Sequence, residues 1–335
     1  MMGKNSILWM AWSVMLLISV WAYAAEEVIV YSARNESLIQ PLFDAYTKET
    51  GVQIRYITDS EAPLLARLQL EGTRTSADLL ITIDAGNLWH AAKLGVLASI
   101  ASPVLMQNVP AHLRDPQNRW FGLSKRARTI VYRTDRVKPQ ELSTYEALGD
   151  SRWKGRLCLR TSKKVYNQSM IAMMIAALGE QGTERVLSSW IANLATDIFS
   201  DDTQVLEAIA AGQCDVGIVN TYYYGRLIAK KPKLPLSLFW PNQKDRGVHI
   251  NISGAGVARY AKHPEAAKKL LEWLSAPKAQ RIFAKLDFEY PVHAEIPPSA
   301  TVLSWGMFRQ EQMDISRAGE LQSKAVKLMD RVGYK

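Results

Sequence analysis

The sequence predicts an α/β protein of two hinged lobes, each a mixed, mostly parallel sheet flanked by helices. From residue 28, short apolar runs alternate with amphipathic helical runs, which is the pattern of βαβ units. A second such series begins near residue 156. Two long extended segments, 121–133 and 248–258, can each carry the chain from one lobe to the other. Two lobes joined by two crossing strands form a hinged clam, with a ligand cleft between them.

The first series predicts strands at 28–31, 52–56 and 77–83 and helices at 37–50 and 62–71. The second predicts strands at 156–160 and 214–219 and helices at 167–178, 184–195 and 203–211. Helices at 263–274 and 277–286 follow, and 300–332 are expected to form terminal helices on one lobe. The expected boundaries are an N-terminal lobe of residues 25–125 plus about 255–295 and a C-terminal lobe of about 130–250 plus about 300–335.

The N-terminus has the features of a secretory signal peptide over residues 1–24. Lys4 is followed by an apolar run over 7–21 and by Ala22-Tyr23-Ala24, which predicts cleavage near Ala24/Ala25. A permanent membrane anchor is the alternative, but about 15 apolar residues are short for a bilayer span. We therefore expect export to a bacterial periplasm.

The mature chain is basic. Cleavage removes one lysine and no acidic residue, so the formal charge falls from +9 to +8. The basic residues are scattered through amphipathic segments and are not clustered with aromatic residues, which argues against nucleic acid as a partner. A solvated basic surface that favours an anionic partner or ligand is the preferred interpretation.

The two cysteines, Cys158 and Cys214, predict a disulfide, because the chain is exported and each lies in or beside a predicted strand. A catalytic thiol is the alternative, but no nearby histidine would serve as its base.

Three consecutive phenols, Tyr222, Tyr223 and Tyr224, follow the predicted strand 214–219. Open α/β sheets bind ligands at the carboxyl ends of their strands. A phenolate is a hard anionic oxygen donor that suits a hard, highly charged cation such as Fe³⁺. The alternative is that these amphipathic side chains are buried in a core with satisfied hydroxyls.

Three further loops should meet at the same cleft, namely 31–37, 58–61 and 161–169. Each one leads into a predicted helix, so its backbone donors and polar side chains face the binding edge. Taken singly, each is also explained by helix capping or turn formation.

Four motifs, in order, resemble those of the periplasmic ferric-ion-binding proteins of bacterial iron ABC importers, in the branch that binds iron through several tyrosines. The motifs are Tyr31-Ser32-Ala33-Arg34, Ser124-Lys125-Arg126-Ala127-Arg128, Val165-Tyr166-Asn167-Gln168-Ser169 and Asn220-Thr221-Tyr222-Tyr223-Tyr224-Gly225-Arg226-Leu227. The resemblance runs from about residue 28 to residue 293. It implies the two-lobed periplasmic binding protein fold of type II.

The resemblance also implies the site. Tyr166, Tyr222 and Tyr223 correspond to iron ligands, and Tyr224 to a neighbour that packs or hydrogen-bonds beside them. Arg126, with Arg128 as the neighbouring choice, corresponds to the arginine that supports the site or a synergistic anion such as carbonate. The polar residues expected around the ligands are Ser162 and Asn220.

The first loop departs from the family pattern, because Asn35 and Glu36 stand where relatives commonly have His, or His followed by Tyr. Glu36 is a candidate replacement oxygen donor, and Glu61 is a weaker one. Otherwise carbonate or water completes the metal's coordination.

The implied function is capture of Fe³⁺ as cargo by a monomer and its delivery to an inner-membrane ABC permease with its ATPase. A two-lobed binder of an organic or inorganic anion without metal is the alternative. An enzyme with a nucleophile such as Cys158, or a Glu base, in the cleft is the least favoured class.

Overall fold

The computed structural model describes residues 26–335. The strands are β1 (Glu27–Ser32), β2 (Gln53–Thr58), β3 (Leu79–Thr82), β4 (Phe121–Arg133), β5 (Leu157–Cys158), β6 (Val216–Asn220), β7 (Leu236–Phe239), β8 (Ile250–Val257) and β9 (Tyr290–Pro291). The helices are α1 (Glu36–Thr50), α2 (Glu61–Glu71), α3 (Ala85–Lys93), α4 (Pro103–Asn108), α5 (Val165–Ala192, broken at Gly179, where φ is 71°), α6 (Asp202–Ala211), α7 (Thr221–Lys230), α8 (Pro264–Ser275), α9 (Pro277–Leu286), α10 (Ala300–Leu303), α11 (Arg317–Glu320) and α12 (Gln322–Arg331).

The predicted signal peptide, residues 1–24, and its cleavage site near Ala24/Ala25 lie outside the described residues. Within residues 26–335, no helix combines the length and apolar character that crossing a membrane requires.

The strands form a mixed sheet in the order β2-β1-β3-β8-β4-β6-β5, and β7 and β9 also pair with β4. The pairs β1–β2, β1–β3 and β5–β6 are parallel. The pairings of β4 with β6, β7, β8 and β9 are antiparallel, as is β3 with β8. The α/β prediction with mixed sheets is confirmed. The share of parallel pairing is smaller than expected, because the long strand β4 runs opposite to all of these partners.

Strand β4 joins the two halves of the sheet. Its residues 121–127 pair with β8, whereas residues 128–133 pair with β6 and β7. Strand β8 pairs with β3 and with the first part of β4. The second extended segment, 248–258, therefore lies mostly in one half of the sheet. The chain passes from one half to the other at its start, where the His249 carbonyl accepts the Arg128 N–H at 3.0 Å.

The buried apolar residues form three clusters. One draws on residues 28–123 and 250–292 together with Ile315, and the other two draw on residues 130–334. This partition supports the predicted lobes, whose boundaries remain a proposal.

The terminal helices, expected to pack on one lobe, have contacts in both parts of the molecule. Helix α12 packs mainly on α5 and also contacts α11, whereas α11 contacts both α3 and α5, so the terminal segment touches both parts of the molecule.

The predicted disulfide between Cys158 and Cys214 is confirmed. Cys158 ends β5, and Cys214 lies two residues before the neighbouring parallel strand β6, which brings their Cα atoms to 5.9 Å. The bond braces the two strands that lead into the segments carrying the predicted tyrosine ligands.

Candidate metal centre

A cavity of about 260 Å³ lies at the junction of the two halves of the sheet. It is lined by Ala33, Arg34, Asn35, Leu38, Ile83, Arg126, Tyr166, Tyr222, Tyr223, Arg226, Ser253, Asp287 and Glu289. The predicted tyrosine ligands therefore meet in one space with charged residues from both ends of the chain.

Two helix starts bring the phenols into this cavity. Tyr222 and Tyr223 occupy the first turn of α7, directly after β6, and Tyr166 is the second residue of α5. The rings of Tyr222 and Tyr223 lie 4.5 Å apart between centroids. Asn220 ends β6, and its Nδ2 donates to the Tyr222 hydroxyl at 3.4 Å. Because the phenols follow the carboxyl end of a buried strand, they reach the edge where ligands bind in such folds.

Two of the phenols, Tyr166 and Tyr222, have a raised pKa. Burial raises the pKa of Tyr166 to about 12, although the Arg126 guanidinium acts in the opposite direction. Burial also raises the pKa of Tyr222, and negative charge on Tyr166 or Tyr223 raises it further. A phenol that binds a metal as phenolate must therefore lose its proton to the competing cation.

Four cationic side chains surround the phenols. They are Arg126 at 5.0 Å from the Tyr166 ring, Arg160 at 5.3 Å from Tyr166 and 5.7 Å from Tyr223, Arg226 at 4.9 Å from Tyr222, and Lys164 at 5.4 Å from Tyr166. Arg126 is buried, and its Nη2 donates to the Ile83 carbonyl, while its Nε and Nη1 have no hydrogen-bond partner. A buried guanidinium with free donors suits a bound anion.

The opposite wall of the cavity carries acids that already have cationic partners. Asp287 accepts from Arg226 Nε at 2.6 Å, and Glu289 accepts from Arg34 Nη2 at 2.8 Å. Burial raises the pKa of Asp287, and the Arg226 partner opposes that rise. Asn35 is the N-cap of α1, and its Oδ1 accepts the Ser37 N–H at 3.2 Å. This wall thus offers oxygen atoms that are engaged in other interactions.

The geometry corrects the expectation for Glu36. Helix α1 begins at Glu36, and its carboxylate accepts the Tyr56 hydroxyl at 3.0 Å on the exposed side. It does not line the cavity. Glu61 also does not line it, but its negative charge raises the pKa of Tyr166, and its Oε1 is buried without a hydrogen-bond partner. Glu61 is therefore the nearer of the two predicted acids.

The other predicted neighbours lie outside the cavity lining. Arg128 is buried against Asp202 at 3.1 Å and also donates to Asn220 Oδ1 at 3.3 Å. The Tyr224 hydroxyl donates to the Leu236 carbonyl at 3.4 Å, away from the phenol pair. Ser162 is held by the chain end, since its N–H donates to the Lys335 carbonyl at 3.0 Å. Of the predicted arginines, only Arg126 reaches the cavity.

Sequence reasoning missed several cavity residues, namely Arg34, Arg226, Ser253, Asp287 and Glu289, and also Arg160, which lies beside the phenol rings without lining the cavity. Arg34 and Arg226 lie inside two of the four motifs, so the positive charge of these motifs could have indicated that they line the site. Asp287 and Glu289 follow α9 in a segment without any recognisable motif. Their place at the cavity depends on how that helix packs.

Within residues 26–335, no group of three or more His, Cys, Asp or Glu side chains is arranged to hold a metal ion. The oxygen donors that do converge are phenols, and phenolates favour hard cations of high charge. A cavity lined by phenols and arginines, between two halves of a sheet that meet at a crossing strand, is the arrangement of a solute-binding protein.

The chain belongs to the bacterial extracellular solute-binding protein family, whose model matches residues 31–281. Iron uptake protein A1 of Synechocystis is 38% identical over 316 residues, which cover 92% of this chain and 88% of that protein. This relative supports the resemblance to iron-binding proteins that the motifs indicate.

Two solved structures are similar over nearly the whole described chain. The Trichodesmium protein IdiA, or FutA, in complex with iron and citrate has 41% identity and a TM-score of 0.89, covering 92% of this chain and all of that one. Ferric iron-binding protein A of Mannheimia haemolytica in an open conformation has 36% identity and a TM-score of 0.87, covering 92% and 99%. The two-lobed periplasmic binding protein fold is therefore confirmed.

Proposed function

We propose that this chain is a periplasmic binding protein that captures Fe³⁺ as cargo through the phenolates of Tyr166, Tyr222 and Tyr223. The observation that carries the proposal is the convergence of these three phenols, from two separate helix starts, on one cavity. Relatives named for iron uptake and ferric iron binding support the same cargo. Hard phenolate oxygens match a small trivalent cation.

The charges favour a ternary complex with an anion. Three phenolates balance the charge of Fe³⁺ and leave coordination positions for further oxygen donors. A small anion such as carbonate would fill them and would accept hydrogen bonds from Arg126, whose Nη1 has no hydrogen-bond partner among the described residues. Asn35, which lines the opposite wall, and Glu61, which lies beside Tyr166, remain candidates for closing the site.

Family membership supports a role in transport. The cleft closes on iron when the proposed lobes, 25–125 with 255–295 and 130–250 with 300–335, approach about the hinge at β4. An inner-membrane ABC permease with its ATPase then receives the cargo from this monomeric protein. Catalysis is not part of the proposed role. The disulfide engages Cys158 and Cys214, so neither provides the thiol that the enzyme alternative requires.

The test uses the colour of phenolate-to-iron charge transfer. Adding ferric citrate to the purified mature protein should produce a visible absorption band. Tyr223→Phe should abolish or strongly weaken that band, whereas Tyr224→Phe should retain it. Tyr224 is the matched control, because it is the adjacent phenol and its hydroxyl bonds the Leu236 carbonyl instead of lining the cavity. Equal loss in both variants, or no band in the parent protein, would refute the proposal.

The second candidate is an anion binder without metal. The observation that favours it is the set of four cations around the phenols. Native mass spectrometry with metal analysis separates the two functions. Iron bound in proportion to protein supports the first, and an anion retained without any metal supports the second.

A further inference from the structure

A second cavity, of about 520 Å³, lies behind the hinge strand and has no assigned role. It shares no lining residue with the metal centre. Side chains alternate along a strand, so Lys125 lies on the face of β4 opposite to Arg126. Lys125 lines this second cavity, whereas Arg126 lines the first. Strand β4 thus separates the cavity lined by Arg126 from the cavity lined by Lys125.

The second cavity has an apolar wall. Phe308 stacks on Trp240 with ring centroids 4.3 Å apart, and Tyr290 packs edge-on against Phe308 at 5.4 Å. Met307 and Leu303 also line the space, and they are 86% and 44% exposed. A concave surface with several exposed apolar side chains is more often a binding site than an ordinary part of the protein surface.

The charged groups that line the second cavity are cationic. Among the described residues, the Lys125 ammonium group has one hydrogen bond, to Gln310 Oε1 at a long 3.4 Å. Burial lowers the pKa of Lys125 to about 8. Arg309 also lines the cavity, and none of the lining residues is acidic. An apolar pocket with cations and no acid in its lining complements an amphiphilic anion.

The outer wall is fixed by its own hydrogen bonds. The Arg309 N–H donates to Gln243 Oε1 at 2.7 Å, and the Arg309 carbonyl accepts the Val248 N–H at 2.9 Å. Trp240 Nε1 donates to the Trp305 carbonyl at 3.0 Å. A wall held in this way is preformed, which reduces the ordering cost of binding a ligand.

We propose that this cavity binds a small organic carboxylate with an apolar body, whose carboxylate pairs with Lys125 and whose body packs on Phe308, Leu303 and Met307. The volume falls within the range of small-molecule sites. The proposal is independent of the iron function, because the two cavities have no residue in common.

The experiment uses octanoate as the probe and the mature, disulfide-bonded protein. A ligand-observed NMR titration should show saturable binding with a Kd on the order of 0.1–1 mM, as expected for a ligand of this size. Lys125→Met should weaken octanoate binding by about tenfold or more, since it removes a charge-assisted contact. Binding of 1-octanol, which has the same apolar body without the charge, should change little in this variant.

Two further variants test whether octanoate binds in the second cavity. Lys164→Met is the matched control, because it removes a lysine beside the metal centre and should leave octanoate binding unchanged. Met307→Asp, at a largely exposed position that folding tolerates, should weaken octanoate by charge repulsion. The proposal is overturned by absence of saturable binding, by unchanged affinity in folded Lys125→Met or Met307→Asp, or by a loss in Lys164→Met equal to that in Lys125→Met.

Discussion

The two walls of the metal centre differ in what they can give to a cation. The wall formed by the starts of α5 and α7 presents three phenols, and the hydroxyls of two, Tyr166 and Tyr222, are buried with raised pKa. The wall formed by residues 33–35 and 287–289 presents an amide that caps a helix and two acids that are paired with arginines. On the first wall the Tyr222 hydroxyl accepts one long hydrogen bond, from Asn220, whereas the oxygen atoms of the second wall are held by ion pairs and a helix cap.

This difference indicates that the two walls have different roles in binding. Helix α7 directly follows the buried strand β6, and a site built on such rigid elements is held in place before a ligand arrives. We therefore expect the phenolic wall to bind a cation before the cleft closes. The opposite wall joins the phenolic one through the Arg226–Asp287 ion pair. Beside it, Ser169 Oγ of α5 donates to Oδ1 of Asp84, the N-cap of α3, at 2.8 Å. Such contacts between the walls suit an opposite wall that closes over the cargo. We expect this opposite wall to contribute less to iron affinity than the phenolic wall does.

The strongest test replaces one group in each wall. Tyr166→Phe removes a phenolate ligand and should cause the larger loss of iron affinity. Asp287→Asn removes only a bridge between the walls and should cost roughly 10- to 100-fold, as for residues that support metal ligands. Competition against citrate, followed through the visible band, measures both. An equal loss in the two variants would mean that the opposite wall also supplies a ligand.

The phenolic wall should make iron binding strongly dependent on pH. Burial raises the pKa of Tyr166 to about 12 and raises that of Tyr222, so both carry protons at neutral pH that the metal must displace. The apparent affinity should therefore fall as pH drops, by roughly one decade per pH unit for each displaced proton. An absorbance titration at fixed citrate measures this slope. In Tyr166→Phe the slope should be shallower, and an unchanged slope would exclude this phenol as a ligand.

The disulfide connects the two strands that lead into the phenolic wall. Cys158 and Cys214 are 56 residues apart in sequence, and a loop of that length predicts a stabilisation of about 4 kcal/mol from the constrained unfolded chain. Reduction should lower the free energy of unfolding by up to this amount, measured by urea denaturation with and without dithiothreitol. The double variant Cys158→Ser/Cys214→Ser should be insensitive to dithiothreitol. A parent protein that is equally stable in both conditions would contradict the prediction.

The phenolic wall was accessible from the sequence because its parts are local. A strand, a helix start and three adjacent tyrosines occupy one short stretch, and the Tyr166 motif likewise sits at a helix start. The long crossing strand was also predictable, since its thirteen residues form an uninterrupted extended segment. Local patterns of this kind determine where a side chain points before any tertiary packing is known.

The opposite wall was largely not predictable, because it is assembled from distant segments. Asp287 and Glu289 reach the cavity through the packing of α9 against α1 and β4, and Arg34 through hydrogen bonds to Ser124 and Ser253. The sequence contains no short-range signal for such contacts. Glu36 lies outside the cavity for a related reason, since the orientation of the first helical residue depends on where α1 begins and on the Tyr56 hydroxyl that donates to it.

The smallest expected effect concerns that same acid. Glu36→Gln should leave iron affinity unchanged, because the carboxylate is turned towards Tyr56 and does not line the cavity. Folding stability should change by no more than about 0.5 kcal/mol, as for an exposed site away from buried networks. Citrate competition and urea denaturation give the two values. A loss of affinity comparable to that of Tyr166→Phe would show that α1 turns Glu36 into the cleft on closure, and the opposite wall would then contribute a ligand of its own.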